Sequence, residues 1–131
     1  MNSRFMQEVI YQWVMRCFGA SVANSREERA LRVVEEVVEL AQSVGAQEAK
    51  IAAIVREVYD RPAGEPYQEL GGVMVMAYAF AEASRISAEG ALMQETKRIL
   101  AKSLSHFRKR MQEKIDKGLV STTITGVPSD E

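Results

Sequence analysis

QELGGVMVMAYAF, residues 68–80, decides how the chain is read. At 100° per residue, a helix through it places Glu69, Val73, Met76 and Phe80 on one stripe. The stretch is apolar nearly all round, the pattern of a helix at the centre of a fold. An ionised carboxylate on such a stripe is costly unless a cation or hydrogen-bond donor meets it, so Glu69 is expected to face one. Gly71 and Gly72 each cost about 1 kcal/mol relative to alanine in a helix interior. They are expected where another backbone or a ligand comes close, tight helix packing being the plainer reading.

Outward from this stretch the chain reads as helix throughout, an all-α fold of about five helices. The first helix is expected from Ser3 to Cys17, with Phe5, Val9 and Trp13 on its apolar face and Ile10 and Val14 as further candidates for it. Ser25 and Glu28 form a capping box that opens a second helix, and Gly45 ends it after Val44. A third helix spans 46–59. Pro66 suits the first turn of a fourth, which runs to about Arg85. Ser87 caps a long fifth helix to Lys117, with Leu100, Leu104, Phe107, Met111 and Ile115 as its stripe. These elements make one domain over residues 1–118. The tail STTITGVPSDE has little to bury, so 119–131 is expected to be flexible.

Composition narrows the function classes. Hydrophobic residues at 47% and charged residues at 27% place the chain in the ordinary globular range. A net charge of −1 provides no global attraction to nucleic acid or an anionic membrane. Without a signal pattern or a run of about 20 apolar residues, the sequence reads as cytoplasmic. One cysteine, Cys17, excludes an intrachain disulfide, and one histidine, His106, disfavours a zinc site. A metal held by this chain would be held by carboxylates, which selects a hard ion such as Mg²⁺ or Mn²⁺.

The carboxylates to hold it are in the second helix. Within RVVEEVVEL, Glu35, Glu36 and Glu39 are three and four residues apart and can converge on one side. A Glu-rich helix face is most often solvated surface. A carboxylate from the apolar stripe of another helix, Glu69, would turn these acids into a cation site. Arg32 and Arg29 could reach phosphate oxygens from the same helix or pair with their glutamate neighbours. Lys97, Arg98, Lys102, Arg108, Lys109, Arg110, Lys114 and Lys117 make the last helix locally basic, a solvated face or a phosphate-capturing one. Trp13 and Tyr67 are flat surfaces for a base, with core packing the simpler reading for Trp13. Cys17 has no companion that would make it a nucleophile.

EEVVE at 35–39, followed by ELGG at 69–72, resembles the signature of the MazG-like all-α nucleoside triphosphate pyrophosphohydrolases. QWVMRCFG, RALRVVEEVVELAQSVG and RPAGEPYQELGGVMV are, in that order, similar to a phage-associated and proteobacterial MazG-like subgroup. The likeness covers roughly residues 7–86. It implies a MazG-like helical bundle assembled as a homodimer or homotetramer. It also implies Mg²⁺-dependent hydrolysis of a nucleoside triphosphate to the monophosphate and pyrophosphate. By the same resemblance Glu36, Glu39 and Glu69 are metal ligands and Glu35 is the catalytic base or water-orienting residue. Arg32 and Arg29 are phosphate-binding candidates, and Trp13 is a base-binding candidate. Gly72 departs from the pattern, which has aspartate there. A nucleotide-binding regulatory protein without turnover is therefore the rival, and a helical interaction module is a third reading.

Overall fold

The computed structural model describes residues 3–128. Among them are seven α-helices and no strand: α1 Ser3–Phe18, α2 Ala20–Ala23, α3 Arg26–Ser43, α4 Glu48–Tyr59, α5 Pro66–Ala83, α6 Ala88–Leu100 and α7 Leu104–Asp116. The all-α expectation is met, and four of the expected helices begin and end within a few residues of their forecast. Their boundaries are chemically local. The Ser25 hydroxyl accepts the Glu28 N–H at 3.2 Å, and Ser87 does the same for Gly90 at 3.0 Å. Pro66 occupies the first turn of α5, where Glu65 accepts the Tyr67 and Gln68 N–H groups. Gly45 at φ 88° and Gly118 at φ 71° turn the chain out of α3 and α7. The Ala46 N–H then reaches back to the Ala41 carbonyl, and the Leu119 N–H to that of Lys114.

The long fifth helix is two helices. The chain leaves α6 after Leu100, and the Ser103 hydroxyl accepts the His106 N–H at 3.2 Å to open α7. A serine that satisfies an orphan N–H competes with helix continuation, and here the cap wins. The expected stripe is thus shared, with Leu100 ending α6 and Leu104, Phe107, Met111 and Ile115 on α7. The short α2 was also not foreseen.

The chain divides into two compact units: Met1–Leu40 with Ile99–Glu131, and Ala41–Arg98. The first unit has a core. α1 packs on α2 and α7, with Met6, Val14 and Cys17 buried on α1 and Val22 and Ala23 on α2. The buried stripe of α1 therefore runs through Met6, Val14 and Cys17. Trp13 is half-buried beside it, and Phe5 is left exposed. Arg108 of α7 fastens the end of α1, its Nε donating to the Cys17 carbonyl at 2.9 Å and its Nη2 to the Arg16 carbonyl at 3.0 Å. These are last-turn carbonyls with no partner inside the helix, where a cation is also favoured by the helix dipole.

The segment after α7 belongs to this core. Ile124 is buried with Val22 and Met111, and Phe18, Ile115, Val120 and Val127 pack around them. A tail expected to be flexible is instead held from Leu119 to Val127, because Val120, Ile124 and Val127 are apolar positions with a place to go. Residues 129–131 of that tail lie outside the described residues.

The second unit is different. α4 buries no residue, and the buried residues of this unit are Ala81 on α5 and Thr96 on α6. The Thr96 hydroxyl is satisfied by the Leu92 carbonyl at 2.7 Å. α5 was expected to be central, yet Tyr67, Leu70, Val73, Met74, Val75, Met76 and Tyr78 are all exposed. None of the helices described is long and apolar enough to cross a membrane.

Candidate functional site

The acidic face of α3 begins one turn after its cap. Glu28, expected to close a capping box by reaching back to Ser25, points into the fold instead. It is 1% exposed. Its carboxylate accepts the Ser121 backbone N–H at 3.0 Å and is paired with Arg32 Nε at 3.1 Å and Arg29 Nη2 at 3.5 Å. A buried carboxylate with two guanidiniums and a backbone donor has the partners that make its ionised form tolerable. Arg32 also donates to the Leu119 carbonyl. Burial pushes the Arg29 guanidinium below its usual range, Glu28 opposes the shift, and neighbouring Arg32 adds to it. The two arginines expected to reach phosphate are therefore committed to Glu28, with Arg32 also tied to the chain after α7.

Glu35 follows two turns later and is half-buried. Lys114 Nζ of α7 donates to its Oε1 at 2.7 Å, and Arg32 Nη1 lies 3.5 Å from its Oε2. Lys114, from the basic run of the last helix, is thus brought to Glu35. The run of lysines and arginines pointed to α7 as a whole, and nothing in the sequence singled Lys114 out. Glu36 and Glu39 are exposed on the same helix, three residues apart.

Glu69 is on α5, in the second unit, and is exposed. Its stripe is not buried by this chain, so the carboxylate carries no desolvation cost that a cation must offset. It folds back over the loop before α5. A Cβ built on Gly64 would lie 2.7 Å from Glu69 Oε1 and 3.0 Å from its carboxyl carbon. The absence of a side chain at Gly64 is what lets this carboxylate lie there. Gly71 and Gly72 have nothing within 4 Å of a built Cβ, so no neighbour within the chain explains either glycine.

Among the described residues no three His, Cys, Asp or Glu side chains gather closely enough to hold a metal ion. The donor chemistry of α3 still suits a hard cation in one respect. Mg²⁺ is commonly held by one or two carboxylates, with waters and substrate phosphates completing its shell. Glu36 and Glu39 can offer that number from one exposed helix face.

Trp13 meets Phe107 edge-on, with ring centroids 4.9 Å apart, and its ring is taken up by packing between α1 and α7. His106 also meets Phe107 edge-on, with ring centroids 5.0 Å apart. Cys17 is buried and free, and burial raises its thiol pKa against the opposing pull of Arg108 and Arg16. That is the reverse of what a nucleophile needs. An open depression of about 390 Å³ lies along α1, lined by Phe5, Glu8, Val9, Gln12, Arg16 and Leu100, and includes none of the α3 acids.

Compared with family models, with curated proteins and with solved structures, the chain matches none.

Proposed function

We propose that this chain is a MazG-like nucleoside triphosphate pyrophosphohydrolase, converting a ribo- or deoxyribonucleoside triphosphate to its monophosphate and pyrophosphate with Mg²⁺ or Mn²⁺. The observation that carries the reading is the α3 acidic face. An exposed Glu36–Glu39 pair stands next to Glu35, whose carboxylate is paired with two cations, Arg32 and Lys114. Carboxylates for a divalent ion and cations for phosphate oxygens are the two charge types that phosphoryl chemistry requires.

In this reading Glu36 and Glu39, with Glu69 by the motif resemblance, hold the ion. When bound, the ion neutralises phosphate charge and lowers the pKa of a coordinated water. Glu35 accepts the proton of the attacking water. The water oxygen forms a bond to the α-phosphorus, the bond from that phosphorus to the bridging oxygen breaks, and pyrophosphate leaves with the electron pair. Lys114, once a triphosphate arrives, exchanges part of its pairing with Glu35 for a phosphate oxygen.

Gly72 favours one rival. It stands where the family pattern has aspartate and supplies no oxygen, as a protein that binds nucleotide without turning it over could tolerate. One assay separates the two. Pyrophosphate release is measured with Mg²⁺ or Mn²⁺ across canonical and modified triphosphates. The enzyme reading expects turnover that Glu39→Gln and Glu69→Gln each abolish while far-ultraviolet circular dichroism is unchanged. Nucleotide binding with no pyrophosphate from any substrate would establish the rival.

A further inference from the structure

We infer that the segment after α7, residues 119–127, is a positioning strap for the acidic face of α3, and that it acts on Glu35 through the guanidinium of Arg32. That guanidinium has three attachments. Its Nε lies 3.1 Å from Glu28 Oε2, its Nη1 lies 3.5 Å from Glu35 Oε2, and its Nη2 donates to the Leu119 carbonyl. Two of the three lead to the strap: Leu119 belongs to it, and the Glu28 carboxylate accepts the Ser121 N–H at 3.0 Å. A guanidinium is a rigid planar fork, so fixing two of its nitrogens fixes the third. The position of the strap therefore determines where Arg32 meets Glu35.

The second cation on Glu35 is tied to the same segment. Lys114 Nζ donates to Glu35 Oε1 at 2.7 Å, and the Lys114 backbone carbonyl accepts the Leu119 N–H at 2.9 Å across the turn that Gly118 makes. The strap's own anchor is apolar. Ile124 is buried against Val22 and Met111, with Val120 and Val127 packed around them. Ser121, at 2% exposure, is buried beside the Glu28 carboxylate. An apolar contact would hold the segment as firmly; a buried carboxylate that must meet one backbone N–H also dictates its register. The strap's hold on Glu35 stands on these contacts, while its effect on turnover rests on the pyrophosphohydrolase reading. In that reading Lys114 turns to a phosphate oxygen when substrate arrives, and Arg32 keeps Glu35 aimed at the water. A misplacement of about 1 Å in such a group costs up to about 100-fold in rate.

The test uses the full chain. Ile124→Ala loosens the apolar anchor, Ile124→Val is its conservative partner, and Trp13 fluorescence reports that the first unit of each is folded. Nuclear magnetic resonance without nucleotide follows the Ser121 amide, the Arg32 Nε–H and the Glu35 carboxyl carbon at fixed pH. In the wild type the first two are expected to exchange with water through one opening, with protection within about threefold of each other. In Ile124→Ala both are expected to lose at least about tenfold in protection and the Glu35 carbon to shift, while α1 amides stay protected. Ile124→Val is expected to keep all three as in the wild type. With triphosphate and Mg²⁺, Ile124→Ala is expected to lower kcat at least about tenfold and to leave KM within about twofold. Independent exchange of Ser121 and Arg32 in the wild type would overturn the inference even if no variant folds. Arg32 and Glu35 signals indifferent to an opened strap would overturn it too, and an unchanged kcat in that variant would overturn the strap's part in turnover. If the wild type turns over nothing, the enzyme reading fails, and the exchange and carbon signals still decide for or against the strap.

Discussion

The Glu28 carboxylate accepts a hydrogen bond from the backbone N–H of Ser121, 93 residues further along the chain, at 3.0 Å. One bond therefore joins the first turn of α3 to the segment that follows α7. Because Glu28 is buried with Arg29 and Arg32, removing it takes the carboxylate from two guanidiniums, of which Arg32 keeps Glu35 and the Leu119 carbonyl. Glu28→Ala is expected to destabilise the first unit by about 3–5 kcal/mol, the cost of breaking a buried pair from one side. Ser25→Ala, which removes only the cap at the same helix end, is expected to cost about 1 kcal/mol. Urea unfolding followed by Trp13 fluorescence measures both.

Lys114 and Glu35 are partly exposed, and their coupling should be modest. A double-mutant cycle of Lys114→Met and Glu35→Gln is expected to give about 1 kcal/mol of interaction in the absence of nucleotide. With triphosphate turnover as the readout, Lys114→Met is expected to raise KM about tenfold and to alter kcat less.

Gly64→Ala places a methyl group against the Glu69 carboxylate, which is the free end of a flexible side chain and can swing away. The fold should barely respond, with a stability change within about 0.5 kcal/mol by thermal denaturation. Turnover is expected to fall, because Glu69 no longer starts from the position seen here. Equal activity in wild type and Gly64→Ala would show that this resting position has no part in catalysis.

Cys17 gives a pH-dependent prediction. Its folded pKa is raised above the unfolded value near 9.0. The folded state therefore holds the proton more tightly, and the stability this contributes is complete below about pH 9. It is lost as pH rises from about 9 through the raised folded value, so stability is expected to decline across that window and to level off beyond it. At pH 8, alkylation of the native thiol is expected to be at least about 100-fold slower than in urea, since reagent must wait for local opening.

Arg85 sits at φ 56°, the left-handed position that ends α5, with the Ile86 N–H bonded back to the Ala81 carbonyl at 2.9 Å. Glycine fills the corresponding place after α3 and after α7. Arg85→Gly is expected to stabilise the chain by about 0.5–1 kcal/mol, net of the entropy glycine gives to the unfolded state. Midpoints of thermal unfolding at fixed protein concentration would show it.

Helix ends were legible where a single side chain decides them locally: Ser25, Gly45, Pro66 and Ser87 each act within four residues. The break at Ser103 was hidden because Leu100, Leu104 and Phe107 keep helical spacing straight through it. Glu28 read as a capping residue since its actual partner lies at the far end of the sequence, beyond the reach of any periodicity. The tail was misjudged for the same reason: Ile124 looks unsupported until Val22 and Met111 are beside it. At the candidate site, the α3 acids were legible from their spacing. The pairing of Lys114 with Glu35 depends on how α7 meets α3, and no local pattern records that.

The first unit is drawn from two stretches separated by Ala41–Arg98, and this governs the order in which it can mature. On the ribosome residues 3–40 emerge long before Arg108, Met111 or Ile124 exist to meet them. At about 5–20 residues per second the wait lasts several seconds. During it the nascent chain shows an unfinished α1 and the oily surface of α5 together. Closure of the first unit thus waits for the segment through Ile124 to emerge, and a chaperone that shields α5 in that interval would raise the yield of folded protein.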